Sequence, residues 1–159
     1  AAAFVAGQVD AVGVFAPFTT QALKREGSTT LFSSKDFPGS ISDHLVCRTE
    51  FVEKNPEQLQ KVVNAWFATL AEIEANPAPS LAILAARAGV SEAEYTEYDA
   101  GTTIFTLEQN RQAMKPGDTM DSLPFAAAQI STFLQEVGLA KTPPDLTNLF
   151  DARFVDAAQ

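Results

Sequence analysis

A chain of 159 residues is long enough for one domain with a real core. With 46% hydrophobic and 19% charged residues it has apolar surface to bury and no block of like charge to hold it open. Its net charge of −9 argues against nucleic acid, which needs a positive patch to displace counterions, and its single cysteine, Cys47, excludes an internal disulfide and a cysteine-rich zinc site.

The opening AAAFVAGQVD lacks the basic start and the length of a signal peptide. Residues 1–6 read as the last turn of a helix stopped at Gly7, so the chain reads as a fragment or one piece of a larger fold. Residues 9–15 form a short apolar run that predicts a strand, with Asp10 bonding local backbone at its start. A strand that feeds a helix through an aromatic-x-Pro corner is an α/β crossover, and ligands bind at the ends of such strands. Phe15, Pro17 and Phe18 are therefore candidate ligand-binding residues, with core packing as the alternative for the two rings.

Residues 19–24 continue as a short helix ending at Gly27, with Lys24 and Arg25 in the last turn where the helix dipole favours cations. A strand is predicted over 29–34, a loop over 35–40 turning at Pro38 and Gly39, and a strand covered on both faces over 45–47, where Cys47 reads as a small buried hydrophobe.

From there the chain reads as helical. Asn55 as cap, Pro56 at the first helical position and Glu57 behind it mark a helix start. Leu59, Val62, Val63, Trp66, Phe67, Leu70 and Ile73 then recur at spacings of three and four, an apolar stripe in which Trp66 is a core residue. That helix should stop near Asn76 and Pro77. Pro79 and Ser80 open another, with Leu81, Ile83, Leu84 and Ala88 inward and Gly89 at its end. Ser91 with Glu94 forms a capping-box pattern for a helix through Tyr98. A short β-branched and aromatic segment lies at 102–107, a helix follows, and 115–118 is a turn. A last long helix covers 125–137 and ends at Gly138, before a proline-punctuated tail with a terminal apolar stub.

Catalysis is not indicated. His44, the only histidine, follows Asp43, but no nucleophile pattern accompanies the pair and no G-x-S-x-G elbow is present. Gly7 and Gly13 do not complete a dinucleotide fingerprint, there is no G-x-x-x-x-G-K, and the carboxylates are scattered along helix faces rather than set at metal-ligand spacing. No cofactor or metal is expected. Asp43 and His44 precede a predicted strand after a Pro-Gly loop. They read either as a strand-entry cap with a satisfied imidazole or as ligand contacts pointing into a cleft.

The order of GQVDAVGVFAPF, then DHLVCRTEFVEKNPEQLQKVVNAWFATLAEIEANP, then helices and a terminal LFDARFV resembles the substrate-binding proteins of nitrate/sulfonate/taurine-type ABC importers, including the related pyrimidine-precursor binders. The matching positions are residues 6–11, Phe15-Ala16-Pro17, 46–48, Phe51 and Asn55-Pro56-Glu57. Where the family has aromatic-Glu-Pro, this chain has Ala16 in place of the carboxylate. The resemblance implies an α/β protein of the type II periplasmic-binding fold, two lobes closing like a hinge. Only its C-terminal half would be represented, mostly helices with a few strands. Residues 1–34 would end the second lobe and cross to the hinge, and 35–159 would return to the first lobe and carry the terminal helices and tail.

The implied function is binding of a small polar or anionic ligand between the lobes and its delivery to a membrane permease, outside the cytoplasm and without catalysis. Phe15, Pro17 and Phe18 would form one wall of the cleft and Asp43 and His44 the other. Completion of the fold would come from a missing N-terminal half or a second copy. Two other readings follow from the same resemblance: a sensor domain fused to a transport ATPase, and an enzyme like the thiamine-pyrimidine synthases, whose cysteine-rich motif this chain lacks.

Overall fold

The computed structural model describes residues 1–37 and 39–159. Among them the regular structure is helical: α1 (Ala2–Val5), α2 (Phe18–Leu23), α3 (Thr49–Lys54), α4 (Pro56–Ala75), α5 (Pro77–Ala88), α6 (Glu92–Asp99), α7 (Leu107–Ala113), α8 (Leu123–Glu136) and α9 (Arg153–Asp156), with a 3-10 turn at Ser34–Asp36. No described residue lies in a strand, which overturns the expected α/β architecture with a few strands.

The stretches expected as strands fail for a common reason. A β-rich composition makes a strand only when a neighbouring segment takes up alternate backbone groups, and no described residue of 9–15, 29–33 or 45–47 stands in a ladder. Their side chains are correspondingly open: Phe15, Leu31, Phe32, Leu45 and Val46 are all exposed, and Cys47 is half-buried. At 106–107 local hydrogen bonds set the structure. The Thr106 hydroxyl accepts from Gln109 N and the Gln109 side chain accepts from Thr106 N, a capping box that makes this point the start of α7. The turn expected at Pro38 lies partly outside the described residues. Gly39 beside it is at φ 80° with Met120 O against the place a Cβ would occupy, so only glycine fits.

The helical expectations hold more closely. α4 starts at Pro56 and runs to Ala75, but the preceding α3 was not expected, and Asn55 is its C-cap. α5 opens at Pro77, two residues earlier than read, and closes on Gly89 in the left-handed region. Its inward face also differs, because Ala85 is 2% exposed while Ile83 is 69% exposed. Within α4, Leu59 is buried at 6% but Trp66 is 52% exposed, as is Val62. These two residues, four apart, form the outer edge of an apolar stripe wider than the surface it packs against.

The helices fall into two compact units, residues 1–33 with 76–104 and residues 34–75 with 105–159. In the first, α1 packs on α2 and α5 on α6. Arg25 ties the opening together: its Nη1 donates to Phe4 O at 2.7 Å and Val9 O at 3.2 Å, and its guanidinium lies 4.6 Å from the Phe4 ring centre. In the second, α4 packs on α3 and α9, and α7 on α9. Gln60 donates to Phe154 O at 2.9 Å, while Arg111 donates to the carbonyls of Val155, Asp156 and Ala158 at the end of α9. Polar side chains thus terminate α9 while Val155 and Ala158 supply its buried contacts.

Candidate functional site

The corner before α2 is built by backbone. Phe15 O accepts from Phe18 N at 2.9 Å and Thr19 N at 3.3 Å across a cis Ala16–Pro17 bond, so the chain turns into the helix at Pro17. The Phe15 and Phe18 rings meet edge to face, 6.2 Å between centres at 81°. Phe15 is nonetheless 77% exposed and Phe18 also lies open, so neither is a core ring. Pro17 is half-buried and lines a groove of about 220 Å³ together with Thr20, Gln21, Lys24, Glu94, Glu97 and Tyr98.

Helical spacing brings these groups to one place. Thr20 and Gln21 lie four and three residues before Lys24, and Glu97 and Tyr98 lie three and four after Glu94, so each set shares a face of its helix. At the end of α2 the Ser28 hydroxyl donates to Arg25 O at 2.6 Å, and Arg25 itself reaches back to Phe4 and Val9. Lys24 is left as the cation on the groove.

Opposite it, α6 is fixed by a closed capping box. Ser91 Oγ accepts from Glu94 N at 3.2 Å, and the Glu94 carboxylate accepts from Ser91 N at 3.0 Å and from Ser91 Oγ at 2.8 Å. These hydrogen bonds, the backbone one foremost, hold the Glu94 carboxyl below the usual range, with a smaller contribution from the Lys24 charge. Glu94 is therefore an anion at neutral pH with a structural task already assigned. Glu97 has none.

Asp43 and His44 belong to the second unit. His44 Nε2 lies 2.9 Å from Ser42 Oγ, and its ring meets Phe150 edge to face at 5.9 Å. Phe150 in turn lines a smaller cavity of about 170 Å³ with Met114, Pro124, Ala127, Leu146 and Thr147. That lining sets apolar side chains beside the Thr147 hydroxyl and exposed polar atoms. Asp43 is exposed. Among the candidates, then, Phe15 pairs with Phe18 beside Pro17, and His44 packs on Phe150, a wall residue of the second unit's cavity.

Lys24, Glu94, Glu97 and Tyr98 escaped notice as site residues because the sequence explains each of them locally, Lys24 as a last-turn cation and Glu94 as a cap partner. The available signal was their spacing on single helix faces. Among the described residues there is no cluster of three or more His, Cys, Asp or Glu side chains able to hold a metal, and no helix is long and apolar enough to cross a membrane.

Residues 1–86 match the NMT1-like family. This agrees with the resemblance to nitrate/sulfonate/taurine-binding proteins, and the matched stretch contains Phe15, Pro17, Phe18, Lys24, Asp43 and His44. No curated protein and no solved structure gives a significant match to the chain.

Proposed function

Because the chain belongs to the NMT1-like family, we propose that it is a solute-binding component of an ABC importer, taking a small polar or anionic ligand and presenting it to a membrane permease outside the cytoplasm. The family match carries the reading, and the groove beside Pro17 supports it by offering a concave site of small-molecule size with polar groups of several kinds. The protein acts by binding and release, without a chemical step of its own. Sulfonates, oxyanions and pyrimidine precursors are the ligand classes of first interest, and Phe15, Pro17 and Phe18 are proposed contacts.

Phe15 supplies an open aromatic face at the corner, suited to covering a bound planar or apolar group. Calorimetric titration of the 159-residue chain with small oxyanions, alkylsulfonates, pyrimidine precursors and amino acids should give saturable one-to-one heat with at least one class. Absence of both heat and thermal shift across the whole panel contradicts the proposal. Phe15→Ala should weaken any binding found, and unchanged affinity removes that ring from the site.

A further inference from the structure

The described residues expose 12038 Å² of solvent-accessible surface. Folded bodies the size of the two units, even standing apart, would leave roughly 9,300 Å² to solvent by the scaling of area with mass. The surplus is about three times the ~800 Å² that each partner contributes to a standard protein interface. Surface on that scale is covered by protein rather than by a small molecule.

A regular part of it lies on α4, in the second unit. This helix turns Leu59 and Gln60 inward, where Leu59 is buried and the Gln60 amide donates to Asn64 Oδ1 at 2.8 Å and to Phe154 O at 2.9 Å. Its opposite face carries Lys61, Val62, Ala65, Trp66, Thr69 and Glu72, all exposed. At 100° per residue, Lys61 and Glu72 fall along one edge of that face and Val62 and Trp66 along the other, with Ala65 and Thr69 between them. The Thr69 hydroxyl donates to Ala65 O at 2.7 Å and so needs no outside partner. The two charged positions stand about 16 Å apart along the axis, one near each end of the stripe.

We propose that this face of α4 joins two copies of the chain in an antiparallel, two-fold symmetric pair. Such a stripe is its own complement when reversed. With the two-fold axis near residues 66 and 67, Lys61 of each copy meets Glu72 of the other along one edge, and the two Trp66 indoles meet along the other. The small residues between the edges let the helix axes approach to the about 8–10 Å of ordinary helix packing. A parallel pair would set lysine against lysine and glutamate against glutamate, so charge selects the antiparallel one. The face belongs to the second unit and the groove beside Pro17 to the first, so failure of pairing and failure of solute binding are separate results.

Sedimentation equilibrium of the full chain tests the pairing. The native chain should show a reversible equilibrium between one copy and two. Trp66→Ala should weaken it about tenfold or more, because interface energy concentrates in central tryptophans and the substitution removes two at once. Lys61→Glu and Glu72→Lys should each weaken it about fivefold, the upper scale for exposed pairs. An equimolar mixture of those two variants should regain the native affinity, since the mixed pair sets opposite charges together at both ends. All three positions are exposed on the single chain, so the denaturant midpoint measured below the dissociation concentration should stay near the native one.

A native chain that keeps the mass of one copy at every concentration overturns the pairing. It is equally overturned if Trp66→Ala associates like the native chain or if mixing the charge variants restores nothing. Association that ignores all of these substitutions places the contact elsewhere and rejects this face.

Discussion

Arg111 shows how single side chains hold this protein where large buried side chains are lacking. Its guanidinium donates to Val155 O at 3.2 Å, Asp156 O at 3.2 Å and Ala158 O at 2.9 Å, tying together the carbonyls at the end of the short α9, of which Val155 O also accepts from Ala158 N. Arg111→Met removes all of these donors while keeping much of the stem, and should destabilise the fold by about 2 kcal/mol, read as a lower denaturant midpoint. Arg111→Lys should recover only part of the loss, because an ammonium lacks the planar fork. Packing in α4 gives a second residue-scale prediction. Leu59→Ala, at a buried position, should cost about 2–3 kcal/mol. Trp66→Ala, at an exposed one, should cost well under half as much, and equal costs would mean that the indole is packed after all.

At the scale of elements, α6 depends on a carboxylate. The Ser91 bonds lower the Glu94 pKa, so the stabilisation they reflect is fully present above the ordinary glutamate value and is lost as pH falls through the depressed one. Amide protection over residues 92–95 should therefore drop in acid in the native chain, whereas in Glu94→Ala it should be low throughout and insensitive to pH in that window. The same scale marks the boundary of what the sequence makes legible. Ser91 with Glu94, Pro56 at the head of α4 and Gly89 and Gly138 behind α5 and α8 are local devices, complete within a few residues, and the structure keeps them. Strands depend on distant partners, which is why 9–15 and 45–47 look β-like in composition yet stand in no ladder among the described residues. Hydrogen exchange should find these stretches unprotected and α4 and α8 protected, and slow exchange across 9–15 would contradict the description. The groove was legible only in part, since Pro17 announces itself while Lys24 and Glu97 acquire meaning only when α2 and α6 face one space.

For the whole molecule, the salient fact is how much apolar surface stays in contact with solvent. The buried apolar residues are mostly alanines, while Phe15, Leu31, Phe32, Ile41, Leu45, Val46 and Leu139 are exposed. Surfaces of this kind mark interaction with another protein segment. A second copy can supply one, and sedimentation velocity should show the mass rising above that of a single chain with concentration. A strictly monomeric boundary at every concentration would contradict self-association. The central claim remains that the chain is a solute binder whose groove beside Pro17 takes the ligand. It is tested most directly by following the backbone amides of residues 17–24 and 94–98 during titration with the small-molecule panel. The account predicts saturable shifts concentrated in those two stretches, and a ligand that binds while leaving both unmoved would contradict it.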